Sequence, residues 1–156
     1  MNAPILIVTL DAEWSLAPEA PAMLGLRGHS VRVTPHGAVA LTQLAVARPN
    51  LLVVEVLDIA RHGTALARIV RERPAFAQLP MIGITQELGV RDQATLMLAG
   101  FDRLVSGGVC RQALVRAAEE LMSQHRGPGV LEVCGRAAAW AAQHARDHCA
   151  QVRTVS

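Results

Sequence analysis

Few side chains in this 156-residue chain combine a type and a spacing that could do chemistry, and Glu55 is the foremost. It interrupts the apolar stretch PNLLVVEVLD, residues 49–58, in which Leu51 to Val54 and Val56 form a β-branched run of strand length entered through a Pro-Asn turn signal. Such a run reads as a central strand buried on both faces. A carboxylate at its C-terminal end points to the crevice where open α/β sheets place their ligand sites. Asp11 and Glu13 follow a second buried-strand run, PILIVT at residues 4–9, and Asp58 stands three residues beyond Glu55. Asp58 reads as a turn residue or cap for the helix that follows. On the tail, His144 and His148 stand at i and i+4 with Asp147 and Cys149 beside them, a pairing that can hold a metal ion. That spacing is common in helices and no second ligand cluster accompanies it, so these side chains are read as solvated or packed, and no metal is assigned.

Other chemistry lacks its partners. All fifteen basic residues are Arg and the chain contains no Lys. Gly107-Gly108 has no Walker pattern ending in Gly-Lys and reads as loop glycines permitting a tight turn. Ser106 has no His and acid nearby to form a nucleophile triad. Residues 1–60 carry net charge −2, residues 61–126 +3 and the remainder +1. With two Trp, two Phe and no Tyr there is neither the basic stripe nor the aromatic content of a nucleic-acid surface. No apolar run approaches the eighteen or so residues of a membrane span, and no signal-type leader precedes the first strand, so a soluble cytoplasmic protein is expected. Cys110, Cys134 and Cys149 are an odd, sparse set without Cys-x-x-Cys spacing, which suits a reducing compartment.

The elements that must position Glu55 alternate. Strands are expected at Pro4 to Thr9, Ser30 to Thr34, Leu51 to Val56, Met81 to Thr85 and Asp102 to Val105. The first helix falls within Ser15 to Gly28 and starts late or is short, because Pro18 and Pro21 are tolerated only in a first turn. Gly37 to Arg48 follows, with Val39, Leu41, Leu44 and Ala45 on one side. Gly63 to Arg73 sets Ala65, Leu66, Ile69 and Val70 on one face and Arg68, Arg71 and Glu72 on the other. Asp92 to Ala99 is ended by Gly100, and Val109 to Ser123 closes the set. Strand and helix alternating in this way imply right-handed crossovers and a parallel sheet covered on both faces. Gly127-Pro128-Gly129 breaks the pattern, and Val130 to about Val152 reads as one further helix.

These phrases resemble a response-regulator receiver domain over about residues 3–124. The resemblance rests on ILIV in the first strand, RPNLLVVEV in the third, LPMIGIT in the fourth and AGFDRLVSGG before the last helix. It implies an α/β fold, a doubly wound five-stranded parallel sheet in the order 2-1-3-4-5, with an extra C-terminal helix here. It also implies a phosphoacceptor Asp ending the third strand, an acidic pair for a metal after the first, a Ser/Thr ending the fourth and a Lys after the fifth. Carried onto this chain, the phosphoacceptor falls on Glu55 and the Ser/Thr on Thr85. The acidic pair falls on Thr9 and Leu10, or on Leu10 and Asp11. The aromatic switch falls on Leu104 and the Lys-Pro pair on Gly107 and Gly108.

Phosphoryl transfer is catalysed by positioning and charge neutralisation, and here the metal cage is depleted and the lysine is gone. The expectation is therefore a pseudo-receiver, not an enzyme and without cofactor, whose degenerate site comprises Glu55, Asp11, Thr85 and Gly107. Glu55 is read either as a crevice carboxylate, partly exposed and without a switching role, or as a mimic of a phosphorylated Asp hydrogen-bonded to Thr85. The expected partner is another regulatory protein in a bacterial pathway, with no nucleic acid and no membrane. Its contact face would be the fourth helix, fifth strand and fifth helix, including Arg91, Arg103 and Arg111. The organisation expected is a receiver-like domain at residues 1–124, a linker at 125–129 and a helix at 130–152. Val133, Ala137, Trp140 and Ala141 on that helix would serve homodimerisation or docking. The alternative is an atypical receiver that still accepts a phosphoryl group or binds a metal or small ligand.

Overall fold

The computed structural model describes residues 2–10, 15–106 and 111–125. The five expected strands form β1 (Pro4–Thr9), β2 (Ser30–Pro35), β3 (Leu51–Val56), β4 (Met81–Thr85) and β5 (Arg103–Ser106). They pair in one parallel sheet, as the alternation predicts, in the order β2-β1-β3-β4-β5 that the receiver resemblance implies. Helices α1 (Ala20–Leu26), α2 (Ala38–Ala47), α3 (Leu66–Glu72) and α4 (Val90–Ala99) make the crossovers, and α5 (Arg111–Gln124) follows the last strand. All six residues of β3 are buried, which is what a strand flanked by strands and covered by helices on both faces must be.

Side-chain alternation along the strands divides the core in two. Leu6, Val8, Leu52, Val54 and Val56 meet Ala40 and Leu44 of α2, Leu66, Ala67 and Val70 of α3 and Leu96 of α4. Ile5, Ile7, Leu51, Val53, Ile82 and Ile84 meet Ala20 and Leu24 of α1 and Leu114, Ala118 and Leu121 of α5. The short α1 follows from its prolines, Pro21 lying in its first turn.

Four sequence expectations are corrected. The segment after β3 does not wait until Gly63 to turn helical: Ile59–Ala65 is a π-helix running directly into α3, capped by the Asp58 carboxylate accepting from Arg61 N at 2.9 Å. On α2 the buried positions are Ala40 and Leu44, whereas Val39 and Ala45 face outward. On α3, Ala67 is buried and Ile69 is 39% exposed, because the preceding π-helix shifts the rotation of everything after it. Arg71, expected on the solvent side, is instead turned into the structure. Its guanidinium donates to the carbonyls of Phe76, Ala77, Leu79 and Gly100 and to Asp102 Oδ2 at 3.0 Å.

Candidate functional site

Glu55 stands next to last in β3, opposite Ile84 of β4, on the same alternating set as Leu51 and Val53. It is fully buried, not partly exposed as the sequence reading has it. Its carboxylate is satisfied by the connection between β1 and α1. Leu10 N donates to Oε2 at 2.9 Å, and Oε1 accepts from the Ser15 hydroxyl at 2.6 Å and from Ala17 N at 3.0 Å. Three donors, two of them backbone amides, thus converge on a charge-bearing group that would otherwise be costly to bury. Proline-rich sequence at the start of α1 creates the opportunity: Leu16, Ala17 and Pro18 precede the helix, so the amide of Ala17 is free of any helical ladder.

Among the described residues Glu55 makes no hydrogen bond to Thr85, which corrects the phosphate-mimic geometry. Thr85 is the register partner of Val56, one residue beyond Glu55, and so belongs to the set of positions that leaves the sheet on the α3/α4 side. Thr85 is itself buried. Leu104 is half-buried against the α3/α4 core. Asp11 and Gly107 lie outside the described residues.

A second group, which the sequence reading passed over, sits on the backbone of the same residue. His36, just past β2, lies 2.7 Å through Nε2 from the carbonyl oxygen of Glu55. A carbonyl only accepts, so Nε2 carries a proton. The His36 ring stacks on that of His62 in the π-helix, with centroids 4.4 Å apart and planes tilted by 33°. Asp58 N donates to His62 Nδ1 at 3.1 Å, which leaves the proton of the neutral His62 ring on Nε2. Burial lowers the pKa of His36, and the neighbouring His62 adds to that; the hydrogen bond to Glu55 opposes it. The Asp58 carboxyl is held below its ordinary value chiefly by the amide of Arg61. Neither histidine carries a sequence motif, and only the meeting of two connections at the sheet's C-terminal edge brings them together.

The receiver resemblance implies a magnesium ion. The described residues do not fit one: the acidic pair falls on Thr9 and Leu10, or on Leu10 and Asp11, of which only Thr9 and Leu10 are described, and both Glu55 oxygens already accept from the chain itself. Among the described residues no group of three or more His, Cys, Asp or Glu side chains is placed to hold a metal ion. His144, His148, Val133, Ala137, Trp140 and Ala141 lie outside the described residues. On the expected contact face, Arg91 is exposed and Arg103 pairs with Glu120 at 3.3 Å. Val90 is 76% and Leu98 47% exposed on the same helix as Arg91. Arg111 opens α5, and its side chain is not among those described. No helix among the described residues is long and apolar enough to cross a membrane.

No family model matches the chain. It is 27% identical over 120 residues to an uncharacterized 76.5 kDa protein in the phbC 3' region of Thiocystis violacea, an alignment covering 77% of this chain. The chain spans 17% of that relative's length. Among solved structures, it is similar to the signal receiver domain of a signal transduction histidine kinase from Syntrophus aciditrophicus, with TM-score 0.69 and 24% identity over 81% of this chain and 96% of that one. It is also similar to the chemotaxis response regulator CheY4 of Vibrio cholerae, with TM-score 0.68 and 16% identity over 78% of this chain and 99% of that one. These likenesses establish the receiver fold, with the sheet order expected from the sequence.

Proposed function

We propose that this chain is a pseudo-receiver: a non-catalytic interaction module of bacterial signal transduction in which Glu55 is a structural anchor and not a phosphoacceptor. One observation carries the reading. The Glu55 carboxylate is fully buried and its oxygens are engaged by Leu10 N, Ser15 Oγ and Ala17 N. A carboxylate attacking phosphorus needs an oxygen free of such donors and a neighbouring cation to neutralise the transferred group. Here the donors are fixed backbone and hydroxyl groups, and the chain has no Lys.

Function then rests on contact with another regulatory protein. The surface of α4, β5 and α5 supports this reading, since Val90 and Leu98 are exposed beside Arg91 and Arg103. Exposed aliphatic groups with arginines among them combine apolar area with forked hydrogen-bond donors. Residues 130–152 complete the proposal as an element for homodimerisation or docking.

The test is a thermal melt with magnesium and beryllium fluoride, which mimics a bound phosphoryl group, alongside intact-mass measurement after acetyl phosphate. No stabilisation and no added mass are expected. A raised melting temperature with both ligands, or a phosphoryl adduct mapped to Glu55, Asp11 or Asp58, overturns the reading in favour of a working acceptor.

A further inference from the structure

The outer face of α2 is built like an inner one. Its ten residues, Ala38–Ala47, include no charged side chain. Ala40 and Leu44 point into the core, yet Val39 is 51% and Val46 68% exposed. Ala38, Thr42 and Ala45 are exposed with them. These positions recur at three and four residues, so they form one continuous stripe along the helix. A helix that is apolar all round is characteristic of one covered on both sides. By contrast, the exposed positions of α5 include Arg116, Glu119 and Glu120, as an ordinary solvated helix requires.

The sequence on either side of α2 carries charge of a single sign. From Ala20 to Val54 the sequence has no Asp or Glu, but it has Arg27, Arg32 and Arg48. Arg27 pairs with Glu119 of α5 at 3.0 Å. Arg32 reaches across to α2 and donates to Gln43 Oε1 at 3.3 Å, and Arg48 caps the helix in the left-handed conformation with φ 43°. Among the described residues neither Arg32 nor Arg48 has a carboxylate partner. The stripe is thus bounded on its β2 side and at its C-terminal end by guanidinium groups without a counter-charge.

That pattern selects the occupant. A second copy meeting this one across a two-fold axis would oppose the same surface to itself, bringing Arg32 and Arg48 of one copy toward those of the other. A membrane surface would call for Trp, Phe or Leu as inserting anchors, and the stripe has only Val, Ala and Thr. Small side chains at 38, 42 and 45 suit the close approach of another helix, with Val39 and Val46 filling its grooves. We propose that the outer face of α2 docks an amphipathic helix of a partner protein whose apolar seam is flanked by Asp or Glu that meet Arg32 and Arg48. This face lies apart from α4, β5 and α5, so the proposal stands whether or not Glu55 accepts a phosphoryl group.

The probe is a synthetic helical peptide with a Leu/Ala seam and Glu on both flanks, with a sibling bearing Lys in place of Glu. Binding to the full chain is read by fluorescence anisotropy and by chemical-shift changes. The Glu-flanked peptide is expected to move resonances of residues 38–48 and to weaken with salt, while the Lys-flanked sibling does not bind. Val39→Glu with Val46→Glu should weaken it by about tenfold or more. Arg48→Glu should weaken it too and admit the Lys-flanked sibling. Thermal melts check that the fold is intact, and Val46→Ser provides a milder variant of the same exposed position. Equal binding of the two peptides, binding of neither, or shifts located away from α2 overturns the proposal. So does a dimer that Val46→Glu dissociates, or tighter binding to anionic phospholipid vesicles than to the peptide.

Discussion

The Ser15 hydroxyl meets Glu55 Oε1 at 2.6 Å, joining residues 40 apart in sequence. With Leu10 N and Ala17 N it makes the β1–α1 connection a clasp around the end of the central strand. Replacing Glu55 by Asp, the residue a working receiver carries, withdraws the carboxylate by one methylene from all three donors. Glu55→Asp should therefore destabilise the chain by about 1–3 kcal/mol, the usual range for leaving buried polar groups without partners. Ser15→Ala should cost about 1 kcal/mol, since it removes one donor and leaves two. Urea unfolding of the two variants checks this. Glu55→Asp as stable as the parent would mean that the clasp does not anchor the fold.

Arg71 should be the most sensitive arginine among those described. It holds the segment after α3, the turn after α4 and the entry to β4 in one network, because Asp102 Oδ2 also accepts from Met81 N at 2.8 Å. Burial presses its pKa down and the Asp102 charge opposes that. Arg71→Ala strands the carbonyls of Leu79 and Gly100 and leaves the Asp102 carboxylate with the Met81 amide but no cation, an expected loss of about 2–3 kcal/mol. Arg71→Lys should recover little of it, since one ammonium cannot span acceptors that a planar fork reaches. Arg103→Ala, by comparison, removes an exposed ion pair and should change stability by less than about 1 kcal/mol. Equal losses for Arg71→Ala and Arg103→Ala in denaturant titrations would refute the network's role.

Gly63 is needed for packing. It is buried in the π-helix, and a Cβ there would collide with Leu96 Cδ2 of α4 and come within 3.2 Å of Val56 Cγ1. Leu96 is itself fully buried, so its side chain can make room only by repacking within the core. Gly63→Ala should destabilise by about 1–3 kcal/mol despite alanine's better helix propensity. Pairing it with Leu96→Val should recover part of the loss in a double-mutant cycle; strictly additive losses would place the strain elsewhere.

How much of this was legible in the sequence depended on whether the signal was periodic or long-range. The central strands could be read because buried parallel strands are continuous apolar runs between turn residues, as in PILIVT and LLVVEV, β2 could be read from its alternation, and the sheet order came from the receiver resemblance. The outward turn of Val39 and Ile69 could not, since on α2 both faces are apolar and on α3 the π-helix resets the phase. Glu55 stood out by type and position, but its burial and its clasp depended on Ser15 and Ala17, whose meeting with it is tertiary. His36 and His62 gave no signal, being single residues in separate connections. Arg71 reads as a solvated charge on any helical wheel, and only the turn at Gly100 and the loop at residues 76–79 bring carbonyls to it.

His36 should give the chain a pH-dependent stability of predictable sign. Its folded pKa lies below the reference value of 6.5, with burial the main cause. In the pH range between those two values the unfolded chain holds more protons than the folded one, so the free energy of unfolding falls as pH falls. The decline should begin as pH drops through the unfolded value near 6.5 and end below the folded pKa, where both states are protonated. The charged ring would also face His62, whose Nδ1 is occupied by the Asp58 amide. Because the chain has five other histidines, the informative quantity is the difference from His36→Gln, which keeps an N–H for the Glu55 carbonyl and cannot take a proton near neutrality. Melting temperatures across about pH 5 to 8 should fall more steeply on the acid side for the parent than for His36→Gln. Parallel profiles for the two would mean that His36 titrates alike in both states and that its stacking on His62 carries no pH-sensitive energy.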